Sequence, residues 1–151
     1  MVDVAGKARL LADGLEFSNG IDFSPDGSTI YVVETAANRI LRALLRPNGT
    51  LATPLSELVR FDGRIGPDGI RFAGNGELYV TLWGRGEIAV VSGDGAIVDR
   101  MKLPGLFPTN LIFLGSDLLV CEGQTAAIWR LPCARATRRN CSARGWELRC
   151  G

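Results

Sequence analysis

The side chains available for chemistry in this chain carry oxygen or sulfur, because the 151-residue sequence contains no histidine. A Ser-His-Asp triad, a Cys-His pair and an imidazole metal site are therefore excluded. A reaction would have to use carboxylates, amides, hydroxyls or a metal ion held by oxygen atoms. Asn19, Asp68 and Thr109 are residues of this kind, and each stands just before a short apolar run.

The elements that position these residues belong to one unit that the sequence repeats three times. The units align on Phe23, Phe72 and Phe113, which are 49 and 41 residues apart. Each apolar run leads through a turn into a second strand-like run, at residues 29–34, 77–83 and 118–122, and a third follows at 39–45, 86–92 and 127–131. Repeats of about 40 to 50 residues are typical of propeller blades.

The number of strands predicts how the blades are arranged. Fourth strands follow at residues 55–61 and 97–103 in the first two units, whereas the third unit has none. Segment 6–19 parallels segment 96–109, so residues 7–11 are predicted to form an additional fourth strand at the start of the chain. This permuted order predicts an all-β fold, half of a six-bladed β-propeller with three four-stranded blades. A β-sandwich of short strands is the alternative.

The composition changes near the end of the chain. Residues 133–151 contain five arginines, one glutamate and three of the four cysteines, whereas the preceding residues carry a net negative charge. These cysteines have neither C-x-x-C spacing nor histidine, which disfavours a zinc site. We predict a propeller body at residues 1–132, followed by a disordered or loosely docked tail at 133–151 with free thiols.

Charge and hydropathy disfavour two other classes of protein. A net charge of +1 provides no basic stripe for phosphates, so no nucleic-acid partner is expected. The N-terminal residues lack an apolar signal region, and no apolar run approaches the roughly 20 residues of a membrane helix. A cytoplasmic protein that does not bind membranes is expected.

Residues 14–131 resemble the C-terminal half of the senescence marker protein, gluconolactonase and luciferin-regenerating enzyme family. Three segments carry the resemblance, in the family's order: SNGIDFSPDGSTIYVVET, PDGIRFAGNGELYVTLWGRGEIAVVSGDGAIV and PTNLIFLGSDLLVCEGQTAAIWRL. The resemblance implies a six-bladed propeller that binds one divalent cation, often calcium, on its axis. It also implies hydrolysis of lactones or related esters.

The resemblance assigns roles to some of the oxygen-bearing residues. Asn19 and Asp68 match two of the family's metal ligands, and both offer the oxygen atoms that a hard cation prefers. Asp68 would also accept a proton during attack on the lactone carbonyl. Simple turn roles are the alternative for both residues. Thr109 occupies the equivalent position in the third unit and is followed by Asn110. The family does not usually use this blade for metal, and we predict that these two residues line the substrate channel.

The rest of the family's site has no counterpart in this chain. A glutamate, an asparagine and a substrate-contacting arginine of the family belong to the half that the resemblance does not cover. Within the chain, Glu34 and Glu122 at strand ends either face the central channel or cap their strands in solvent. Trp83 either packs within its blade or forms a platform for substrate.

Half a ring would leave apolar flanks and an unpaired strand edge exposed. We therefore expect a homodimer in which residues 7–11 of each copy complete the third blade of the other.

Two functions stay open. The first is a metal-dependent, calcium-binding hydrolase of lactones or small esters, with activity intact or degraded. The second is a non-catalytic propeller for assembly or ligand binding, and a fragment completed by a different chain is a further alternative.

Overall fold

The computed structural model describes residue 6 and residues 8–63 and 66–133. This part of the chain forms three consecutive antiparallel sheets from eleven β-strands and contains no helix. It therefore contains no helix long and apolar enough to cross a membrane.

The strands follow the chain order within each sheet. Sheet 1 consists of β1 (Ser18–Phe23), β2 (Thr29–Glu34), β3 (Arg39–Leu44) and β4 (Ser56–Arg60). Sheet 2 consists of β5 (Pro67–Phe72), β6 (Leu78–Leu82), β7 (Glu87–Val91) and β8 (Ile97–Lys102). In the described residues, sheet 3 consists of β9 (Pro108–Leu114), β10 (Asp117–Glu122) and β11 (Ala127–Pro132).

Local turn chemistry explains why successive strands pair. Between β1 and β2 the N–H of Gly27 donates to the carbonyl of Ser24 at 2.8 Å, and Gly27 has a φ of 72°. The Asp26 carboxylate accepts hydrogen bonds from the Ser24 hydroxyl and the Ser28 N–H. A residue with positive φ and a short acidic side chain are what a tight hairpin turn requires.

The core lies on both faces of sheet 2. One cluster of buried side chains joins sheets 1 and 2, and a second joins sheets 2 and 3. The two contacts repeat the same geometry: Tyr31 meets Phe72 edge to face at 4.8 Å between ring centroids, and Tyr79 meets Phe113 in the same way at 5.0 Å. Sheets 2 and 3 therefore each pack on the preceding sheet through equivalent residues.

The predicted strand order is confirmed for the described residues, and the repeated packing of three separate sheets is not that of a two-layer sandwich. The strand expected at residues 7–11 is not formed within the single chain. Ala8 takes part in one isolated bridge, residues 9–17 form no strand, and Lys7 lies outside the described residues. The strand at residues 7–11 is expected to pair with a strand of another copy, so strand exchange stays a prediction.

The sequence analysis assigned Cys133 to the predicted tail. This residue is buried in the second cluster, its N–H donates to the carbonyl of Ser116 at 2.9 Å, and its thiol donates to the Tyr79 hydroxyl at 3.2 Å. Cys133 thus packs with the body. Residues 134–151 lie outside the described residues, so a disordered or loosely docked tail stays a prediction.

Candidate functional site

Each first strand has a register irregularity at the oxygen-bearing residue that the sequence analysis singled out. The register shifts between Ser18 and Ile21 in β1 and between Pro67 and Ile70 in β5. In β9 it shifts at Thr109. Such bulges leave residues unpaired and re-aim their side chains. Asn19, Asp68 and Thr109 are therefore released from the ladder at the same level of the three sheets.

The three irregular segments lie side by side because glycines let the first strands approach closely. A Cβ atom on Gly20 would lie 2.2 Å from the carbonyl oxygen of Asp68. One on Gly69 would lie 2.6 Å from the carbonyl oxygen of Thr109. The buried Thr81 hydroxyl supports the second contact, since it accepts a hydrogen bond from the Gly69 N–H at 2.7 Å. The backbones of the three site segments thus form one continuous row.

A cavity of about 230 Å³ lies along this row. Its lining includes Asn19, a predicted metal ligand, together with Thr109 and Asn110, which were predicted as channel candidates. Asn19 and Asn110 are exposed, whereas Thr109 is half-buried. Asp68 is not among the lining residues, although the next residue, Gly69, is. The cavity wall therefore offers amide, hydroxyl and guanidinium groups, and Asp68 is the residue that precedes the lining residue Gly69.

The Asp68 carboxylate is half-buried. Burial raises its pKa above the ordinary value for aspartate. Among the residues that the structure describes, this carboxylate has neither a hydrogen bond nor an ion pair. A half-buried carboxylate in this state is stabilised by a proton or by a cation.

The residues fit a divalent cation in chemical type but not in number. Calcium takes about six to eight oxygen ligands, from carboxylates, amides, carbonyls and water. Asn19 and Asp68 are ligands of this type, and Thr109 and Asn110 add oxygen atoms nearby. The described residues contain no group of three or more histidine, cysteine, aspartate and glutamate side chains that could hold a metal. This chain therefore offers part of a coordination sphere.

Arg71 is a cavity residue that the sequence analysis missed. Its guanidinium Nη1 lies 3.6 Å from Oδ1 of Asp22, and the Asp22 carboxylate also accepts the N–H of Phe72 at 2.9 Å. The Nε of Arg71 is buried and has no hydrogen-bond partner. The signal was present, because Asp22 and Arg71 directly precede the aligned phenylalanines of consecutive repeats. They place opposite charges at equivalent positions of neighbouring strands.

Glu34 is buried, with 1% of its surface exposed, so the prediction that it caps a strand in solvent is wrong. Its carboxylate pairs with the Nε of Arg39 at 2.5 Å and accepts the backbone N–H of Glu16 at 2.8 Å. Burial by itself would raise the pKa of Glu34, but the hydrogen bonds and the charge of Arg39 outweigh it and lower the pKa. Glu34 thus ties the segment before β1 to sheet 1.

Glu122 has the same kind of role in sheet 3, and the solvent-capping alternative is wrong for it as well, since only 3% of its surface is exposed. Its carboxylate accepts the backbone N–H groups of Phe107, Gln124 and Thr125 at 2.7 to 2.9 Å, and also the Thr125 hydroxyl. Burial would raise its pKa, but these hydrogen bonds lower the pKa to about 2. Both glutamates are occupied by backbone groups, which leaves them unsuited to bind substrate.

Trp83 packs between loops. Its ring stacks on Phe107 with 4.7 Å between centroids and 18° between planes, and its backbone N–H donates to the carbonyl of Gly66 at 3.0 Å. The side chain is half-buried. These contacts correspond to the blade-packing alternative.

Consecutive antiparallel sheets, with their first strands adjacent and one row of oxygen-bearing residues along them, define a β-propeller-type protein. Residues 1–120 match the family model described as the SMP-30/Gluconolactonase/LRE-like region, and the chain belongs to this family.

Individual relatives agree with this assignment. A 6-deoxy-6-sulfogluconolactonase of Pseudomonas putida is 32% identical, over 92% of this chain and 52% of the relative. The calcium-binding protein regucalcin of Agrobacterium tumefaciens has a similar structure, with a TM-score of 0.71 and 32% identity over 77% of this chain and 41% of that one. The structure of a gluconolactonase of Xanthomonas campestris is also similar, with a TM-score of 0.72 and 29% identity over 85% of this chain and 41% of that one. This chain thus spans about half of these proteins or less.

Proposed function

We propose that the chain provides part of a divalent-metal-dependent site that hydrolyses lactones or small esters. The observation that carries the proposal is the Asp68 carboxylate, which is half-buried, lacks a partner among the described residues and lies on the row that also contains Asn19. Family membership and the lactonases among the relatives support the reaction class. The calcium-binding relative supports the choice of cation.

In this proposal Asn19 and Asp68 hold the cation through their side-chain oxygens. A bound divalent cation polarises a carbonyl and lowers the pKa of a bound water. Asp68 would accept the proton of the attacking water as a general base. Thr109 and Asn110 line the cavity, where their hydroxyl and amide groups suit the hydroxyl groups of a sugar lactone.

Arg71 bears on the choice of substrate. In this proposal the Arg71 guanidinium, which lines the cavity beside Asp22, contacts an anionic group of the lactone. The Pseudomonas relative is named for a substrate of that kind, a sulfonated gluconolactone. An acidic sugar lactone is therefore the first substrate to test.

The second candidate function is a non-catalytic propeller that binds a ligand or assembles with another chain. It is favoured by the absence of a group of three acidic, cysteine or histidine side chains in the described residues. The two functions differ in what the cavity does after ligand binding, so a binding assay and an activity assay together distinguish them.

Calorimetric titration of the full chain with calcium tests the proposal. We expect saturable binding, weakened about tenfold or more by Asp68→Asn, which removes one charged ligand. Asp13→Asn, which neutralises an exposed carboxylate away from the row, is the matched control and should bind like the wild type. Absence of saturable binding by the wild type would refute the metal site.

A panel of neutral and acidic lactones, assayed with and without calcium, tests catalysis. We expect turnover that falls about a hundredfold or more in Asp68→Asn, as for loss of a general base. Calcium binding without turnover of any lactone would favour the non-catalytic function. Full activity in Asp68→Asn would show that the carboxylate has been wrongly assigned.

A further inference from the structure

The first and last sheets each have an outer face with no neighbouring sheet in the described residues. On sheet 1 this outer face carries Ile21 and Phe23 in β1, and Ile21 is 56% exposed. On sheet 3 the outer face carries Leu119, Cys121 and Ile128, and Ile128 is 72% exposed. Sheet 2, by contrast, has apolar clusters on both faces. Exposed apolar side chains on a sheet face that no other sheet covers favour a contact site.

The outer face of sheet 1 is equivalent to faces that pack on a preceding sheet. Ile21 pairs with Val32 and Phe23 with Ile30. The same registers occur in the sheets that follow: Ile70 with Val80 and Phe72 with Leu78, then Leu111 with Val120 and Phe113 with Leu118. In sheets 2 and 3 these residues make the contact with the sheet before.

The outer face of sheet 3 is equivalent to faces that pack on a following sheet. In sheet 1 these positions hold Tyr31, Val33 and Ile40, which pack on sheet 2. In sheet 2 they include Tyr79 and Ile88, which pack on sheet 3. Leu119, Cys121 and Ile128 have the same registers in sheet 3. The chain thus has a first face and a last face that match each other as neighbouring sheets do.

We propose that these two faces bind each other between two copies of the chain. The outer face of sheet 1 in one copy packs on the outer face of sheet 3 in the other, as sheet 2 packs on sheet 1. Each copy carries one face of each kind, so two copies close a ring through two identical contacts related by a two-fold axis. The chain covers 52% of the length of the Pseudomonas relative, so two copies have about the length of that single protein.

The edge of β11, which pairs with no strand among the described residues, supports the same arrangement. β3 and β7 each pair with a fourth strand on this edge, namely β4 and β8. Residues 9–12 lie near the outer face of sheet 1, around a cavity of about 330 Å³ lined also by Ile21, Ile30 and Val32. By the alignment of segments 6–19 and 96–109, Leu11 corresponds to Met101, which pairs with Ile88. Leu11 would therefore pair with Ile128 of the partner copy.

Ring closure would complete the row of site residues. β1 lies beside β5 and β5 beside β9 within one copy, so β9 of one copy would lie beside β1 of the other. Asn19, Asp68 and Thr109 would then occur twice around one channel, and the partner copy would supply oxygen donors that one chain lacks. This consequence for metal binding rests on the proposed function, whereas the contact between the two faces does not.

Sedimentation velocity of the full chain tests the contact. At about 50 µM, where interfaces of ordinary size are formed, we expect a mass of two 16.2-kDa chains. Ile21→Glu and Ile128→Glu each place a charge in a contact, and each should raise the dimer dissociation constant about tenfold or more. Val98→Glu is the control, because Val98 is 42% exposed but belongs to sheet 2, whose two faces are already covered.

Mixing the two variants tests which face binds which. In a head-to-tail ring, the Ile128→Glu chain keeps an intact sheet 1 and the Ile21→Glu chain keeps an intact sheet 3. An equimolar mixture should therefore recover dimers through one undamaged contact. Circular dichroism of each variant should match the wild type, since both positions are exposed in the single chain.

Four outcomes would overturn the proposal: a monomeric wild type, assemblies larger than two copies, a dimer unaffected by Ile128→Glu, or no recovery on mixing. A dimer that binds no calcium would retain the contact and refute the proposed function alone.

Discussion

Gly20 of β1 lies against the backbone of Asp68 in β5, and a Cβ atom on Gly20 would be 2.2 Å from the Asp68 carbonyl oxygen and 3.0 Å from the Ile70 nitrogen. Backbone atoms cannot yield as the end of a flexible side chain can. The first strands of sheets 1 and 2 therefore meet only because residue 20 has no side chain. Since Asn19 precedes this contact and Asp68 forms it, the separation of the two proposed ligands depends on it.

Gly20→Ala should lower the free energy of unfolding by about 1 to 3 kcal/mol, the usual cost of forcing an atom into a packed contact. Calcium binding should weaken as well, because sheets 1 and 2 would have to move apart beside Asn19. Urea denaturation measures the first effect and calorimetry the second. Gly93→Ala is the control: a Cβ atom there meets nothing within 4 Å, and the variant should stay within about 0.5 kcal/mol of the wild type. Equal stability of both variants would contradict the close contact.

Glu122→Gln should destabilise the protein in a pH-dependent way. Hydrogen bonds in the folded state lower the pKa of this carboxyl from 4.5 to about 2. A group whose pKa is lower in the folded state adds stability that is complete above its unfolded pKa and is lost as the pH falls towards its folded pKa. The difference in unfolding free energy between wild type and variant should therefore be constant above about pH 5 and shrink towards about pH 2. Urea titrations across this range measure it, and a difference independent of pH would contradict the ionised, hydrogen-bonded state.

Gly105→Ala should disturb the same carboxylate. A Cβ atom on Gly105 would lie 2.0 Å from the Glu122 Cδ, and the carboxylate cannot move away without losing its backbone hydrogen bonds. We expect a loss of about 1 to 3 kcal/mol in the wild-type background. In a Glu122→Ala background the added cost should fall by about 1 kcal/mol or more, as a double-mutant cycle would show. Strict additivity would mean that the two residues do not interact.

Two truncations separate the body from the tail. A chain that ends at Cys133 should keep the stability of the full chain, because the second cluster remains complete. A chain that ends at Pro132 should lose about 1 to 2 kcal/mol, because it lacks the buried Cys133 side chain and its hydrogen bonds to Tyr79 and Ser116. Thermal and urea unfolding of both chains measure the difference. Equal stability of the two truncated chains would show that Cys133 does not contribute to the core.

Local sequence patterns determined the strands and their order. The alternation of apolar and polar residues and the turn around Asp26 and Gly27 act over a few residues, so the strands could be located without the tertiary structure. Repetition of the unit placed Asn19, Asp68 and Thr109 at equivalent positions. The repetition also predicts that the first and last blades each have an outer face without a neighbouring blade in the same chain. The homodimer is predicted from these two faces.

The tertiary structure decided what surrounds each of these residues. Three contacts join segments that are distant in sequence. The Glu34 carboxylate accepts the N–H of Glu16, and the Glu122 carboxylate accepts the N–H of Phe107. The guanidinium of Arg71 lies beside the carboxylate of Asp22. The close approach of Gly20 and Asp68 likewise arises only when two sheets pack together. Strand formation follows from local periodicity, whereas burial, charge pairing and the spacing of the site depend on which distant segments meet. For that reason the sequence predicted the site residues, and only the folded chain showed Asp68 to be a half-buried carboxylate without a partner among the described residues.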